Sequence, residues 1–273
     1  MDQQVHFSAE EYLGILELQF EVAQALKGKP SSDSRWPDAQ HLALKLFAHG
    51  ASAHWLFQGT NAPVPRSTVG AAFTDFGSIA VIARAALETY LTFFEVFVSP
   101  STEDEFEFQY SLWHLAGQVV LEDLEPSDES LVENYLGAQA DIAELRERIQ
   151  ATDVFAGLTQ RQQEQVLQGR RRRNWSEIAA SAGIGLGFIK RIYSYYSGFV
   201  HSDALTSSQL FTAQTREDQR GHAELHLLTI MFALSKFILD YVDLFEEAAQ
   251  VLPRFPEAHS KAQVWSEVLS RLD

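Results

Sequence analysis

Ile79-Ala80-Val81-Ile82-Ala83-Arg84-Ala85-Ala86-Leu87-Glu88-Thr89-Tyr90-Leu91-Thr92-Phe93-Phe94 forms the middle of the most apolar stretch in the first half of the chain, and the architecture follows from how it is read. From about Phe73 to Val98 the large apolar residues do not alternate. Ile79, Val81, Ile82, Leu87, Leu91, Phe93, Phe94, Val96 and Phe97 occupy nearly the whole circumference of a helix, as expected of a central helix covered on most sides. Pro100 stops it. Inside it sit Arg84 and Glu88, at i and i+4 and so on one face. Charges on a mostly buried helix are costly unless they satisfy each other or a third group. The spacing therefore leaves two readings: an internal ion pair, or the lining of a polar pocket.

Outward from this stretch, the chain reads as helix after helix. Ser8-Ala9-Glu10-Glu11 has capping-box spacing before a helix that ends at Gly28 and Pro30, and Pro37 opens a second helix that closes at Gly59. A loop follows from Asn61 to Pro65. Beyond the central stretch, acids at Glu103, Asp104 and Glu105 suit the start of a helix running to Leu121. An acidic loop over 122–130 leads to a helix reaching about Gln150, then a connector through Gly157 and a short helix from Thr159. Asn174-Trp175-Ser176-Glu177 caps another short helix, and a further helix runs from about Leu186 to Val200. Residues 206–215 read as short and polar, Glu217 to Gln250 as the longest helix, and a last amphipathic helix holds Ala262, Trp265, Val268, Leu269 and Leu272. No period-2 run bounded by turn residues occurs, so no strand is expected. The expected fold is all-α: a single multi-helix bundle of about nine to eleven helices over residues 1–273, with a split near 122–130 as the weaker alternative.

Composition narrows the chemistry. The 273 residues include no cysteine, which excludes disulfides, thiolate metal sites and cysteine nucleophiles, and fits a reducing cytoplasm. The net charge of −16 repels phosphate backbones at long range and disfavours DNA as a partner. The N-terminus lacks the apolar core of a signal peptide. The longest apolar run, Leu227 to Leu239, falls short of the roughly 20 residues that span a bilayer. A soluble, cytoplasmic protein without a membrane partner is the expectation.

No phosphate-binding loop, zinc-protease helix or nucleophile elbow is present, and no cofactor is expected. Gly183, Gly185 and Gly187 lack the preceding strand and the final glycine of a dinucleotide fingerprint. His222 and His226, at i and i+4 near a helix start, offer a weak metal alternative that would need a third ligand, and partial exposure is expected of both. Arg170, Arg171, Arg172 and Arg173 form the only basic block, read either as solvated surface or as a phosphate or RNA contact. Residues 174–193 have the order of a helix-turn-helix, but Ile189, Ile192, Tyr195 and Tyr196 suit burial rather than a groove.

Polar, ionisable and aromatic side chains are densest from Lys190 to Asp203. Tyr193, Ser197 and His201 recur every four residues on one helix face. Tyr193, Ser197, Val200 and His201, with Tyr196 where leucine is usual, resemble a Tyr-x-x-Leu-Ser-x-x-Val-His segment of an uncharacterised family of bacterial all-helical proteins. In that family the segment follows a central helix bearing Arg and Glu, here Arg84 and Glu88. The family is distantly similar to the HEPN superfamily of helical nucleases and nucleotide-binding proteins. The resemblance implies a core over about 70–250, with peripheral helices at 8–28, 37–58 and 257–272, and a role in stress or defence systems. The Arg-x(4–6)-His signature of HEPN ribonucleases is absent, because the nearest upstream arginine, Arg191, precedes His201 by ten residues.

Two functional expectations follow. The first is a non-catalytic ligand-binding or protein-interaction module, whose partner is another protein or a second copy in a homodimer. The second is an enzyme acting on RNA or a nucleotide. In it His201 serves as general acid or base beside Ser197 and Tyr193, Arg84 is oriented by Glu88, and Arg191 with the Arg170–Arg173 block holds phosphate.

Overall fold

The computed structural model describes residues 6–29, 33–62, 71–122, 132–170 and 173–268. Pro30, Pro63, Pro65, residues 123–131, Arg171, Arg172, Leu269 and Leu272 lie outside the described residues. The chain is all-α apart from one small hairpin, and the described residues hold thirteen α-helices rather than nine to eleven. Three short helices account for the difference. Helix α6 (Asp153–Ala156) sits where a connector was expected, capped by Thr152, whose side chain accepts from Phe155 N–H. Helix α10 (Ala204–Thr212) occupies the stretch read as polar and irregular. Helix α12 (Glu246–Ala249) is cut from the long helix by Phe245, whose extended backbone (φ −125°, ψ 109°) ends α11 (Arg216–Leu244). The hairpin pairs Thr60–Ala62 with Ala71–Phe73 antiparallel, with Asn61 opposite Ala72, and takes part of the expected loop.

The chain divides into two compact units, Met1–Phe93 with Trp175–Asp273, and Phe94–Asn174. In the first, α3 (Phe76–Phe93) and α11 pack against each other and against α2 (Trp36–Phe57). Helices α1 (Ala9–Gln24) and α13 (Pro256–Val268) close over α11. Tyr12, Ile15, Leu18, Leu46, Ile79, Phe93, Phe232 and Phe237 are fully buried there. Helix α11 alone, among the described residues, is long and apolar enough to cross a membrane, and most of its apolar stretch is buried within the protein. Helix α8 (Trp175–Ser181) and α9 (Leu186–His201) lean on α3.

The second unit has its own core. Phe108, Leu112 and Leu115 of α4 (Glu103–Gln118) meet Ile142, Leu145 and Ile149 of α5 (Val132–Gln150), with Phe155 of α6 and Val166 of α7 (Gln160–Leu167). The acids at the start of α4 serve beyond the dipole: the Asp104 carboxylate accepts from the backbone N–H of Asp153 (2.9 Å) and Val154 (3.0 Å) and so pins the start of α6.

Candidate functional site: the face between α3 and α9

Arg84 and Glu88 project from α3 toward α9, and Tyr193 of α9 reaches back to both. Arg84 Nε donates to Glu88 Oε1 at 3.0 Å, Arg84 Nη2 donates to the Tyr193 hydroxyl oxygen at 2.8 Å, and that hydroxyl donates to Glu88 Oε1 at 2.6 Å. The three groups form a closed ring in which the phenol is acceptor and donor at once. The guanidinium carbon also lies 4.5 Å from the centre of the Tyr193 ring. Burial works against the charge on Arg84, but hydrogen bonds to Glu88 and Tyr193 outweigh it and hold the guanidinium above the usual arginine value. Burial, then the hydrogen bond to Glu88, raises the Tyr193 phenol. The ion pair expected from the i, i+4 spacing is present, and its third partner comes from another helix. The ring does not use the whole guanidinium: Arg84 Nη1 is buried without a partner.

His201 is not part of this ring. It ends α9, eight residues and about 12 Å of helix rise beyond Tyr193, and it is exposed. Ser197 is half-buried one turn before it. Neither side chain makes a hydrogen bond to another described residue. The arginine expected near the imidazole meets a phenol instead. Arg191 is exposed, its guanidinium folded back over Gly187. Arg170 is exposed just after Gly169, whose positive φ of 64° turns the chain out of α7; Arg173 is half-buried.

The histidine pair on α11 behaves unequally, and full burial of one member corrects the expected partial exposure of both. His222 is half-buried and stacks on Phe76 (ring centres 4.9 Å apart, planes at 21°). His226 is fully buried. Rings of Tyr196, Phe199 and Tyr195 surround it at 5.5, 5.6 and 5.9 Å, and both of its nitrogens lack hydrogen-bond partners. Burial, then the nearby His222, drives its pKa down to about 3, so the ring is neutral. No group of three or more metal-ligating side chains occurs among the described residues.

Two features escaped the reading of the sequence. The α9–α10 corner turns on Ser202, which takes a left-handed backbone (φ 55°, ψ 48°). Asp203 then caps α10, accepting from Thr206 N–H at 2.8 Å. Gly198 permits the close return, because a Cβ there would run into the Asp203 carboxylate. Asp203 three residues before Thr206 was the available signal. The second feature is the orientation of α10. Two of its polar residues face inward: the Thr206 hydroxyl donates to Gly198 O (3.0 Å), and Gln209 Oε1 accepts from the Tyr195 hydroxyl (3.1 Å), while Ser207, Ser208 and Thr212 are exposed. Its large apolar residues face out, with Leu205 61%, Leu210 51% and Phe211 77% exposed.

Comparison with known proteins finds no family model that matches the chain and no curated protein or solved structure with significant similarity to it.

Proposed function

We propose that the chain is a non-catalytic protein-interaction module, of the bacterial HEPN-like kind its motif resembles, acting in the cytoplasm within a stress or defence system. The observation that carries this reading is the set of exposed apolar side chains on α10. Thr206 and Gln209 hold the helix to its own protein, and Leu205, Leu210 and Phe211 are left in solvent, where they gain nothing unless another surface covers them. The Arg84–Glu88–Tyr193 ring supports the same reading, since its hydrogen bonds tie α9 to α3.

The competing reading, an enzyme acting on a phosphodiester with His201 as acid or base, has one observation in its favour: the unpartnered Arg84 Nη1 offers a donor to an anionic group. Labelled RNA incubated with the purified protein, beside a His201→Ala variant, separates the two. The interaction reading expects no cleavage above buffer from either. Cleavage by the unaltered chain that disappears in the variant overturns it.

A further inference from the structure

We infer that two copies of this chain pair face to face through the outer side of α10 and the groove beside it. The inference rests on the interaction reading above and names its partner.

The groove lies next to α10 within the first unit. It has a volume of about 500 Å³; Gly77, Val81 and Ile82 of α3, Phe199 of α9 and Leu210 of α10 line it, with Asp75 and Ser78 at the start of α3. Leu210 packs closely over Gly77, where a Cβ would sit 3.2 Å from a Leu210 methyl. One face therefore carries both a socket and, one residue beyond its rim, a protruding ring in Phe211. A two-fold interface requires this self-complementarity: what one copy inserts, it must also receive.

Area and charge point the same way. Leu205, Leu210 and Phe211, with Val81 (39% exposed) and Val200 (43%), present apolar surface on the order of the few hundred Å² that marks interaction sites. A stable pair needs about 800 Å² per partner. The exposed Ser207, Ser208, Thr212 and Gln214 supply a polar rim to extend the patch. From Ala204 to Thr215 no side chain is ionisable, although the chain carries a net charge of −16. Repulsion between copies is weakest along α10 itself, where neither surface carries charge; the carboxylate at the groove, Asp75, is held at the start of α3 by the Ser78 N–H (2.9 Å) and hydroxyl (2.7 Å). A basic or acidic partner segment would find no charge on α10 to pair with, whereas a second uncharged, apolar α10 fits.

Sedimentation velocity of the full chain over a concentration series tests this, alongside Phe211→Ser and Leu210→Glu. Both altered positions are exposed, and circular dichroism with thermal melting verifies that the variants fold. The expected result is a reversible dimer of the unaltered chain whose Kd weakens about tenfold or more in either folded variant. Three results overturn the inference: a monomer at every concentration, a dimer undiminished in both folded variants, or open-ended association without a dimer plateau. Should a variant fail to fold, Val81→Asp, on the opposite wall of the groove, takes its place with the same expectation. A monomeric chain that also leaves RNA intact removes the second copy but keeps the interaction reading. His201-dependent cleavage removes the reading itself.

Discussion

The two polar sites against α9 solve the same problem in opposite ways. Between α3 and α9, Arg84, Glu88 and Tyr193 bring a charge, a counter-charge and a phenol into partial burial and hydrogen-bond one another. Between α9 and α11, His226 is more deeply buried yet has no partner for either nitrogen. Paired groups can stay charged at low cost, whereas an unpaired one must give up its charge. The first site should therefore respond to removal of a partner, and the second to removal of the neutral state.

The largest effect is expected from acid. A histidine whose pKa is about 3 in the folded chain and near 6.5 when unfolded contributes its stability fully above about pH 6.5 and loses it as pH falls toward 3. Over that window the unfolded state takes up the proton that the folded state refuses, so the loss reaches on the order of 4 kcal/mol. His226→Phe keeps a ring among Tyr195, Tyr196 and Phe199 and removes the proton site. Denaturant unfolding of both proteins at a series of pH values should show the variant gaining on the parent steadily below pH 6.5. Parallel pH profiles would show that His226 is not the group being titrated.

A smaller effect is expected at the ring. Glu88→Ala leaves the Arg84 guanidinium, 19% exposed, without its counter-charge and should cost about 2 kcal/mol. Tyr193→Phe keeps the ring face under the guanidinium but deletes the bridging hydroxyl, for about 1 kcal/mol. Because all three groups share the Glu88 Oε1 contacts, the double variant should fall short of the sum by 0.5 kcal/mol or more. Additive losses would mean that the phenol and the ion pair act independently.

The sequence makes the α3 helix and the Arg84–Glu88 pair legible because both are local: periodicity shows a helix, and i, i+4 spacing shows a pair. Tyr193 was visible as a polar site residue, but its partner was not, since helix spacing says which residues share a face and not which helix that face meets. The long-range bond from Tyr193 to Arg84 spans 109 positions. The exposure of the apolar residues of α10 was hidden for a related reason. Residues 206–215 read as short and polar, and only the inward hydrogen bonds of Thr206 and Gln209 show which side is in. His226 was misjudged because a position near a helix start suggests partial exposure, while its neighbours in space come from α9 and cover it.

The smallest effect is expected where the sequence pointed most directly. His201 lies at the end of a four-residue recurrence that begins with Tyr193, and that recurrence predicts a shared site. A helix face is a line, however, and the hydrogen bonds from α3 reach it at Tyr193, while no described side chain bonds that of His201 at its far end. His201 is exposed and makes no hydrogen bond to a described residue. Its removal takes away no buried surface and strands no partner. His201→Ala should change unfolding free energy by no more than about 0.5 kcal/mol, the usual range for an exposed position without special contacts. The comparison with Tyr193→Phe is the sharper measurement, since both substitutions alter one polar group on the same face of the same helix. A His201→Ala loss equal to or larger than the Tyr193→Phe loss would place a stabilising partner at the helix end, and the contrast between the fastened Tyr193 and the free His201 on this face would fail.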